Sequence, residues 1–421
     1  MNFNGGELLE RAVRSALGSQ WPGEIDVVVV DNASTDDSVE SVETLPGVTV
    51  LRQKTNDGFA ASNYGFADLV GGELESFDGG RTENDDPTVA SLRSDTPRLI
   101  ELEEPGVVAL LNPDAMVRSD TFRLLAAPLN ADQRVGACSP MIVFDRPFIE
   151  LAVTGEELVI DALDAGGVDI GARCHGIDGA ERLPGADAPV WLCPAGSTLR
   201  LPVANLSERV MVGIRSGNGS LGGHDVKGPT EIRIDPARKR SHRVIQNAGV
   251  QIDARGTGVS RGFGETVGTN LGAPAPLWCG AAVAFHPDYL REVGGFDHDY
   301  FLYYEDVDLG LRGQAAGWKT EHVPEAVVEH RHSDRTVQGT ELVEVLQHRN
   351  RLLTMVRHNS LPSVAVGYAR AALTPVSLGV SAIRNPSQRA ERLRLAKWRA
   401  KALKDAVTGI PAARKARSTS D

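Results

Sequence analysis

The stretch of this 421-residue chain richest in reactive groups runs from Trp278 to His332. Within it, FLYYEDVDLGLR sets Glu305, Asp306 and Asp308 directly after an aromatic run, at the mouth of a short amphipathic helical pattern. An apolar wall beside a carboxylate penalises the charged form, raises the pKa and makes the group a usable base near neutral pH. The same acids also suit a structural job, complementing the positive end of a helix and its orphan amides. Two other polar clusters could share a site with them: DNAS at 31–34 and NPDA at 112–115, each following an apolar run.

The elements that position these groups read as alternating helix and buried strand. Leu8, Leu9, Ala12, Val13, Ala16 and Leu17 recur at helical spacing across 7–18, and 25–30, apolar and β-branched apart from Asp26, is a run that ends at Asp31. Ser34, Thr35 and Asp36 are natural caps for a helix over 37–44. A second β-rich run, 48–52, leads into NDGFAASNYG, and a third, 107–111, into NPDA. Open α/β sheets bind ligands where strand ends carry polar groups. The expected architecture is a doubly wound α/β domain with a site built from Asp31, Asn56 to Asn63 and Asn112 to Asp114.

The chain is too long for a single compact core, so two or three units are expected. Its net charge of −12 argues against general nucleic-acid binding. That average hides a polarity. From Arg384 to Asp421 there are eleven Lys/Arg against three Asp/Glu, a net of +8, which leaves −20 on residues 1–383. A basic tail on an acidic body fits either an anionic membrane surface or a solvated extension. The four cysteines are widely spaced with no CxxC pair, as in a reduced, cytoplasmic protein without a thiolate metal site. The N-terminus lacks a signal-peptide pattern, and the apolar stretch 371–383 is well short of the roughly 20 residues a bilayer requires.

In order along the chain, VVVVDNASTDDS, NDGFAASNYG, LLNPDA, QNAGVQIDARGTGVSRGFGE, WCGAAVAFHPDYLREVGGFD and FLYYEDVDLGLR resemble the family-2 inverting glycosyltransferases of the GT-A fold, in particular the bacterial rhamnosyltransferase-like subgroup. The resemblance implies a dTDP- or UDP-sugar donor, Mg2+ or Mn2+, and inversion at the anomeric carbon. Carried over position by position, it implies nucleotide contacts from Phe3, Asn4, Asp31, Asn32, Asn56, Gly58, Asn63 and Asn112. Gly58 is read as letting backbone approach the ligand, or as an ordinary turn glycine. Asp114, last in the DxD-type motif, and His330, with His332 as alternate, are implied for the metal. Asp306 matches the catalytic base. Trp278, Gly280 and Ala281 would wall the donor sugar and acceptor, with Glu305 and Asp308 orienting the acceptor or capping the helix.

The chain departs from that family in three places. The family opens with a buried strand running into a nucleobase-contacting turn, whereas this chain opens MNFNGG. A start further upstream is therefore expected, because loss of a central strand exposes backbone donors and opens the sheet. An acidic Gly/Asp/Thr-rich loop occupies 71–106. Alternating runs over 146–243 read as an antiparallel β insertion of sandwich type. The units are then 1–145 and 244–338 for the two halves of the catalytic domain, 146–243 for the insertion and 339–421 for C-terminal amphipathic helices and basic tail. A basic helix over 386–404 carrying Trp398 would lie on an anionic membrane, on the inner face of the plasma membrane, or else pack on the catalytic domain. The expected reaction is transfer of L-rhamnose from dTDP-rhamnose to a glycan or polyprenyl-diphosphate-linked acceptor in envelope polysaccharide synthesis. The alternatives are galactofuranosyl or other hexosyl transfer, and a non-catalytic carbohydrate-binding scaffold. A nucleotidyltransferase would carry a Gly/Lys-rich phosphate loop near its N-terminus, and none is visible.

Overall fold

The computed structural model describes residues 1–70, 106–146, 243–253, 255–331, 340–384, 386 and 389–418, together with the backbone of eight strands between 148 and 233. All of the acidic segment 71–106 except Gly106 lies outside the described residues, as does His332.

Helix α1 (Glu7–Leu17) buries Leu9, Ala12, Val13 and Ala16, the helically spaced apolar positions of the sequence. It packs on β1 (Val27–Asp31), which pairs in parallel with β2 (Val48–Arg52). The expected helix over 37–44 does not form: the segment is a run of turns, closed by Val42 and Glu43 amides donating to the Val39 carbonyl. Two valines, two serines and a threonine in eight residues make a weak helix former, and burial of Val39 and Val42 anchors the turns instead. Helix α2 (Ser62–Val70) follows.

The remaining catalytic-domain strands are β3 (Val108–Leu111), β4 (Ala115–Val117) and β5 (Val135–Phe144), with α3 (Thr121–Ala131) between the last two. Strands β6 (Phe148–Thr154), β7 (Ala162–Ala165), β8 (Val168–Asp169), β9 (Val190–Pro194), β10 (Thr198–Leu201), β11 (Val210–Ser216), β12 (Gly219–Val226) and β13 (Thr230–Arg233) come next. They form two four-stranded antiparallel sheets, ordered β12-β11-β6-β9 and β13-β10-β7-β8. The chain then returns through β14 (Ile245–Asn247), the hairpin β15 (Val250–Ile252) and β16 (Gly258–Ser260), β17 (Ala282–Phe285), α4 (Pro287–Val293), α5 (Glu305–Ala315) and β18 (Lys319–His330). Three helices end it: α6 (Glu341–His358), α7 (Leu361–Arg384) and α8 (Arg389–Ser418), the last longer than the expected 386–404.

The six-stranded central sheet is mixed, ordered β3-β17-β5-β18-β4 with β14 also on β5. Only β5 and β18 run parallel within it. Its two faces bury separate cores. One gathers Phe66, Trp278, Phe285 and Phe296 against α2, α4 and α5, and the other gathers Leu125, Leu129, Cys138 and Ala326 against α3. The α/β class with helices on both faces is as expected.

Strands β1 and β3 do not pair with each other. The edge of β1 opposite β2 carries one bridge, Asn2 to Asp31, and between that edge and β3 lies a cavity of about 270 Å3. Leu9, Val13, Val28, Leu69, Val108 and Leu110 are among its lining residues. Helices α1 and α2 contribute to its walls, which are largely apolar.

Candidate active site

The acid cluster is delivered by a strained loop. Phe301, Tyr303 and Tyr304 all have positive φ (60°, 69° and 70°), a conformation costing about 1–3 kcal/mol each in a side-chain-bearing residue. Surrounding groups hold it in place. The amide of Asn350, buried on α6, donates to the carbonyls of Tyr300, Leu302 and Tyr303 at 2.8–2.9 Å. The Phe301 carbonyl accepts from the Phe59 amide at 2.6 Å, and the Tyr304 hydroxyl accepts from the Gly258 amide at 3.2 Å. Helix α5 therefore starts in a fixed direction.

The three acids at its start have three different environments. Asp306 is half-buried, and its carboxylate accepts the Gly280 amide at 3.0 Å and the Val307 amide at 2.8 Å. Burial raises its pKa, opposed by those same hydrogen bonds. Glu305 is buried, and desolvation followed by the charge of Asp306 pushes it well above the usual carboxylate range. Asp308 is fully buried and cannot reach an acceptor, which corrects the expected orienting role. Desolvation alone would raise it, but Arg312 at 2.9 Å, His358 at 2.8 Å and Arg357 at 3.3 Å hold it far below the ordinary range. It is the anionic hub that ties α5 to α6. Cys279, beside Gly280, is no rival nucleophile, because burial and then Asp306 push its thiol up to about 12.

A second cluster stands at the ends of β3 and β18. The Nε2 of His330 lies 3.0 Å from the Asp114 carboxylate and 3.4 Å from the Asn112 amide nitrogen, while its Nδ1 lies 2.6 Å from the Gln246 side-chain oxygen. With the Nδ1 proton donated to Gln246, Nε2 presents a lone pair toward Asp114. Two acceptors at that separation are reconciled by a shared proton or a cation. One carboxylate and one imidazole fit Mg2+ or Mn2+, because such ions take few protein ligands and complete their shell with water and substrate phosphate. A histidine whose other ring nitrogen is fixed by a carbonyl oxygen is the usual arrangement of a metal ligand. Gln246 was missed from sequence, although it opens the QNAGVQ motif. Among the described residues no cluster of three or more His, Cys, Asp or Glu is arranged to hold a metal ion, so the pair would depend on substrate oxygens.

The remaining expected site residues divide between ligand-facing and structural positions. Asp31 is buried and accepts from the Asn2 amide at 3.2 Å, which also reaches Ser34 and Ser38. Asn2 was not anticipated. Phe3 is 44% exposed, with its ring open to solvent. Asn4 has φ 52°, and its side-chain oxygen accepts the Thr35 and Asp36 amides. Asn32 bonds Asn56 at 2.8 Å and the Gly58 carbonyl at 2.9 Å, and it accepts the Asp57 amide, so it fastens β1 to the next turn. At Gly58, φ is +67° and a Cβ would lie 2.1 Å from the Phe301 carbonyl oxygen. The close approach expected of Gly58 is thus to this chain's own acid-bearing loop. Asn63 is buried with its amide exchanging two 2.8 Å bonds with the Phe296 backbone, and Trp278 is fully buried against Phe285 and Phe296. Neither lines a pocket as expected; both hold the core beneath it.

The two clusters are joined by adjacent residues. Gly280 donates its amide to Asp306, and the carbonyl of Ala281 accepts the Asn112 amide at 3.0 Å. Asn112 in turn touches His330. On the other side, a side chain at Gly5 would come within 3.4 Å of Pro113, so the turn carrying Asn2 and Asn4 packs beside the NPD segment. An acid with a raised pKa, a carboxylate–imidazole pair and a polar strand end thus form one continuous rim.

The family model for glycosyl transferase family 2 matches residues 1–73, and that for glycosyl transferase family group 2 matches residues 254–358. Both models are of family-2 glycosyltransferases, and they match two separate segments of the chain. Among curated proteins, the N-acetylglucosaminyl-diphospho-decaprenol L-rhamnosyltransferases of two Mycobacterium tuberculosis strains are 41% identical to it over 63 residues. That match spans 15% of this chain and 20% of the length of those relatives. Among solved structures, a mannosyltransferase from Pyrobaculum calidifontis in complex with GDP-Man and Mn2+ aligns at 15% identity and TM-score 0.40, covering 97% of this chain and 85% of the other. GalNAc-T7 with UDP, GalNAc and Mn2+ aligns at 13% identity and TM-score 0.40, covering 83% and 45%. Both matched segments carry parts of this site: the first holds Asp31 to Asn63, and the second holds Gly280 to His330 and the α6 residues that brace the loop.

Proposed function

We propose that this chain transfers a sugar from a nucleotide-sugar donor to an acceptor hydroxyl, with inversion at the anomeric carbon. The observation that carries the reading is the short path Asp306–Gly280–Ala281–Asn112–His330–Asp114, which sets a proton-accepting carboxylate beside a pair suited to a diphosphate-bound cation.

Asp306 takes the proton of the acceptor hydroxyl as that oxygen bonds the anomeric carbon and the bond from the sugar to the diphosphate oxygen breaks. The Gly280 and Val307 amides aim its carboxylate, and partial burial keeps it basic enough for the task. Asp114 and His330 would hold Mg2+ or Mn2+; the chemistry such an ion supplies is charge offset on the departing nucleoside diphosphate. Asp31 and Asn2, with Phe3 beside them, form the nucleobase end of the donor site. The donor in this reading is dTDP-L-rhamnose, with galactofuranose and other hexoses as competitors; the L-rhamnosyltransferase names of the partial relatives support the sugar. The acceptor is a polyprenyl-diphosphate-linked sugar or glycan of the cell envelope, glycosylated at the cytoplasmic face of the membrane with peripheral contact through the C-terminal helices. Among the described residues no helix is long and apolar enough to cross a membrane.

A thermal-shift panel of nucleotide sugars with and without Mn2+ tests the donor assignment, since a ligand that binds only the native state raises its melting temperature. The expected result is a metal-dependent shift with dTDP-rhamnose larger than with dTDP. Equal shifts for every nucleotide sugar and its diphosphate, or none, would overturn it.

A further inference from the structure

A second cavity, of about 500 Å3, opens between the β15–β16 hairpin and the C-terminal helices. Arg255, Thr257, His348, Arg351, Arg370 and Arg399 are among its lining residues. Its electrostatics are one-sided. Glu344 pairs with Arg399 at 2.8 Å and lies 3.7 Å from His348, whereas no carboxylate among the described residues lies within ion-pair distance of Arg255, Arg351 or Arg370. Burial lowers the pKa of Arg399, and the charge of Glu344 opposes that shift. Converging guanidinium groups present forked donors that match phosphate oxygens.

The cavity adjoins the reacting end of the active site. Thr257 precedes Gly258, which donates to the Tyr304 hydroxyl and would touch Val307 at 3.5 Å if it carried a side chain; Glu305 and Asp306 stand between those two residues. Arg351 follows Asn350, the clamp of the catalytic loop, and donates to the Arg255 carbonyl at 2.8 Å. A ligand held by these arginines is therefore indexed to Asp306 by the helix that positions it. The donor diphosphate has its own place by Asp114 and His330.

The rim of the cavity continues into hydrocarbon-like surface. On α7, Val366, Leu373, Val376, Val380 and Ile383 are 44–76% exposed and repeat at spacings of seven, three, four and three, so they share one side of the helix. Arg370, Ala371 and Thr374 turn toward the cavity, with Arg370 at the border between the two faces. A cationic cup bordered by an apolar stripe fits an amphiphile with a phosphorylated head.

We propose that this cavity binds the diphosphate of a lipid-linked sugar acceptor, its hydrocarbon lying along the exposed stripe of α7. This rests on the transferase reading above and adds the site at which the acceptor is held.

Calorimetry of the full chain with inorganic pyrophosphate in EDTA, where a cation-dependent donor site is silent, tests the cavity. Arg255 and Arg370 are exposed, so Arg255→Gln/Arg370→Gln keeps the fold. The double variant is expected to weaken pyrophosphate at least tenfold, while Asp114→Asn leaves it unchanged. Binding that survives the double variant, or is lost in Asp114→Asn, overturns the proposal. In transfer assays the double variant should raise KM at least tenfold for a sugar-diphosphate-lipid, with KM for the same sugar as an alkyl glycoside unaltered. Equal KM changes for both acceptors overturn the acceptor role while the transferase reading stands. Absence of transfer to either by the unaltered chain overturns that reading instead, and the calorimetry still decides the cavity. Phosphatidylglycerol vesicles free of diphosphate lipid should float the double variant and the unaltered chain alike; loss of flotation in the variant would assign the cavity to headgroups and overturn the proposal.

Discussion

Glu305, Asp306 and Asp308 are neighbours in sequence and opposites in environment. Asp308 gains two guanidinium groups and the His358 imidazole, Asp306 two backbone amides, and Glu305 little beyond burial. A carboxyl whose folded pKa is raised stays protonated in the native state after the unfolded chain has ionised, above about pH 4.3 for glutamate. It therefore makes the protein less stable as pH rises through its folded value. Glu305→Gln removes that loss. Its melting temperature relative to the unaltered chain is expected to climb between pH 5 and pH 8, and a difference independent of pH in a melting series would contradict the assignment. Gln246 acts through His330 alone, fixing which ring nitrogen faces Asp114. Gln246→Ala is expected to weaken Mn2+ binding about 10–100-fold in a donor-saturated titration, the usual effect of removing such a partner. The types of these residues were legible in sequence because each sits in an ordered motif. Their division of labour was not, since it depends on Arg357 and His358, about fifty residues downstream.

The element that aims the candidate base is the loop from Tyr300 to Tyr304, held at positive φ by contacts from three other segments. Asn350 supplies three of those bonds from α6, and buried carbonyls left unsatisfied cost about 1–3 kcal/mol each. Asn350→Ala is expected to lose roughly 3 kcal/mol in denaturant unfolding and to lower kcat by more than the accompanying change in KM, because the base moves while the donor site stays. Equal kcat with lost stability would show that the clamp serves the fold alone. Strand and helix patterning foretold α1 and β1 well. It failed at 37–44, where caps and polarity suggested a helix but β-branched residues and buried valines favour turns. It also misjudged Gly58, Asn63 and Trp278. Motif position marks them as part of the site, and only packing shows that their contacts are with Phe301, Phe296 and Phe285.

At the scale of the molecule, the C-terminal helices are tied to the candidate site through α6 rather than standing apart from it. Helix α6 buries its apolar face, braces the catalytic loop and pins Asp308, while α7 and α8 pack on it and on each other. The sequence showed an amphipathic, basic C-terminal region, but periodicity alone cannot say whether such a region meets lipid or protein. The structure gives it both kinds of surface: buried contacts toward the core and an exposed apolar stripe on α7.

The claim from which the rest follows is that Asp306 is the base. It is tested by Asp306→Asn, which keeps the shape of the side chain, assayed for sugar transfer alongside calorimetry of donor binding. At least a hundredfold loss of kcat, with donor Kd within twofold of the unaltered chain, is the expected result, since positioned bases contribute about 10²–10⁴-fold. Transfer at an undiminished rate would place the proton acceptor elsewhere and contradict the account.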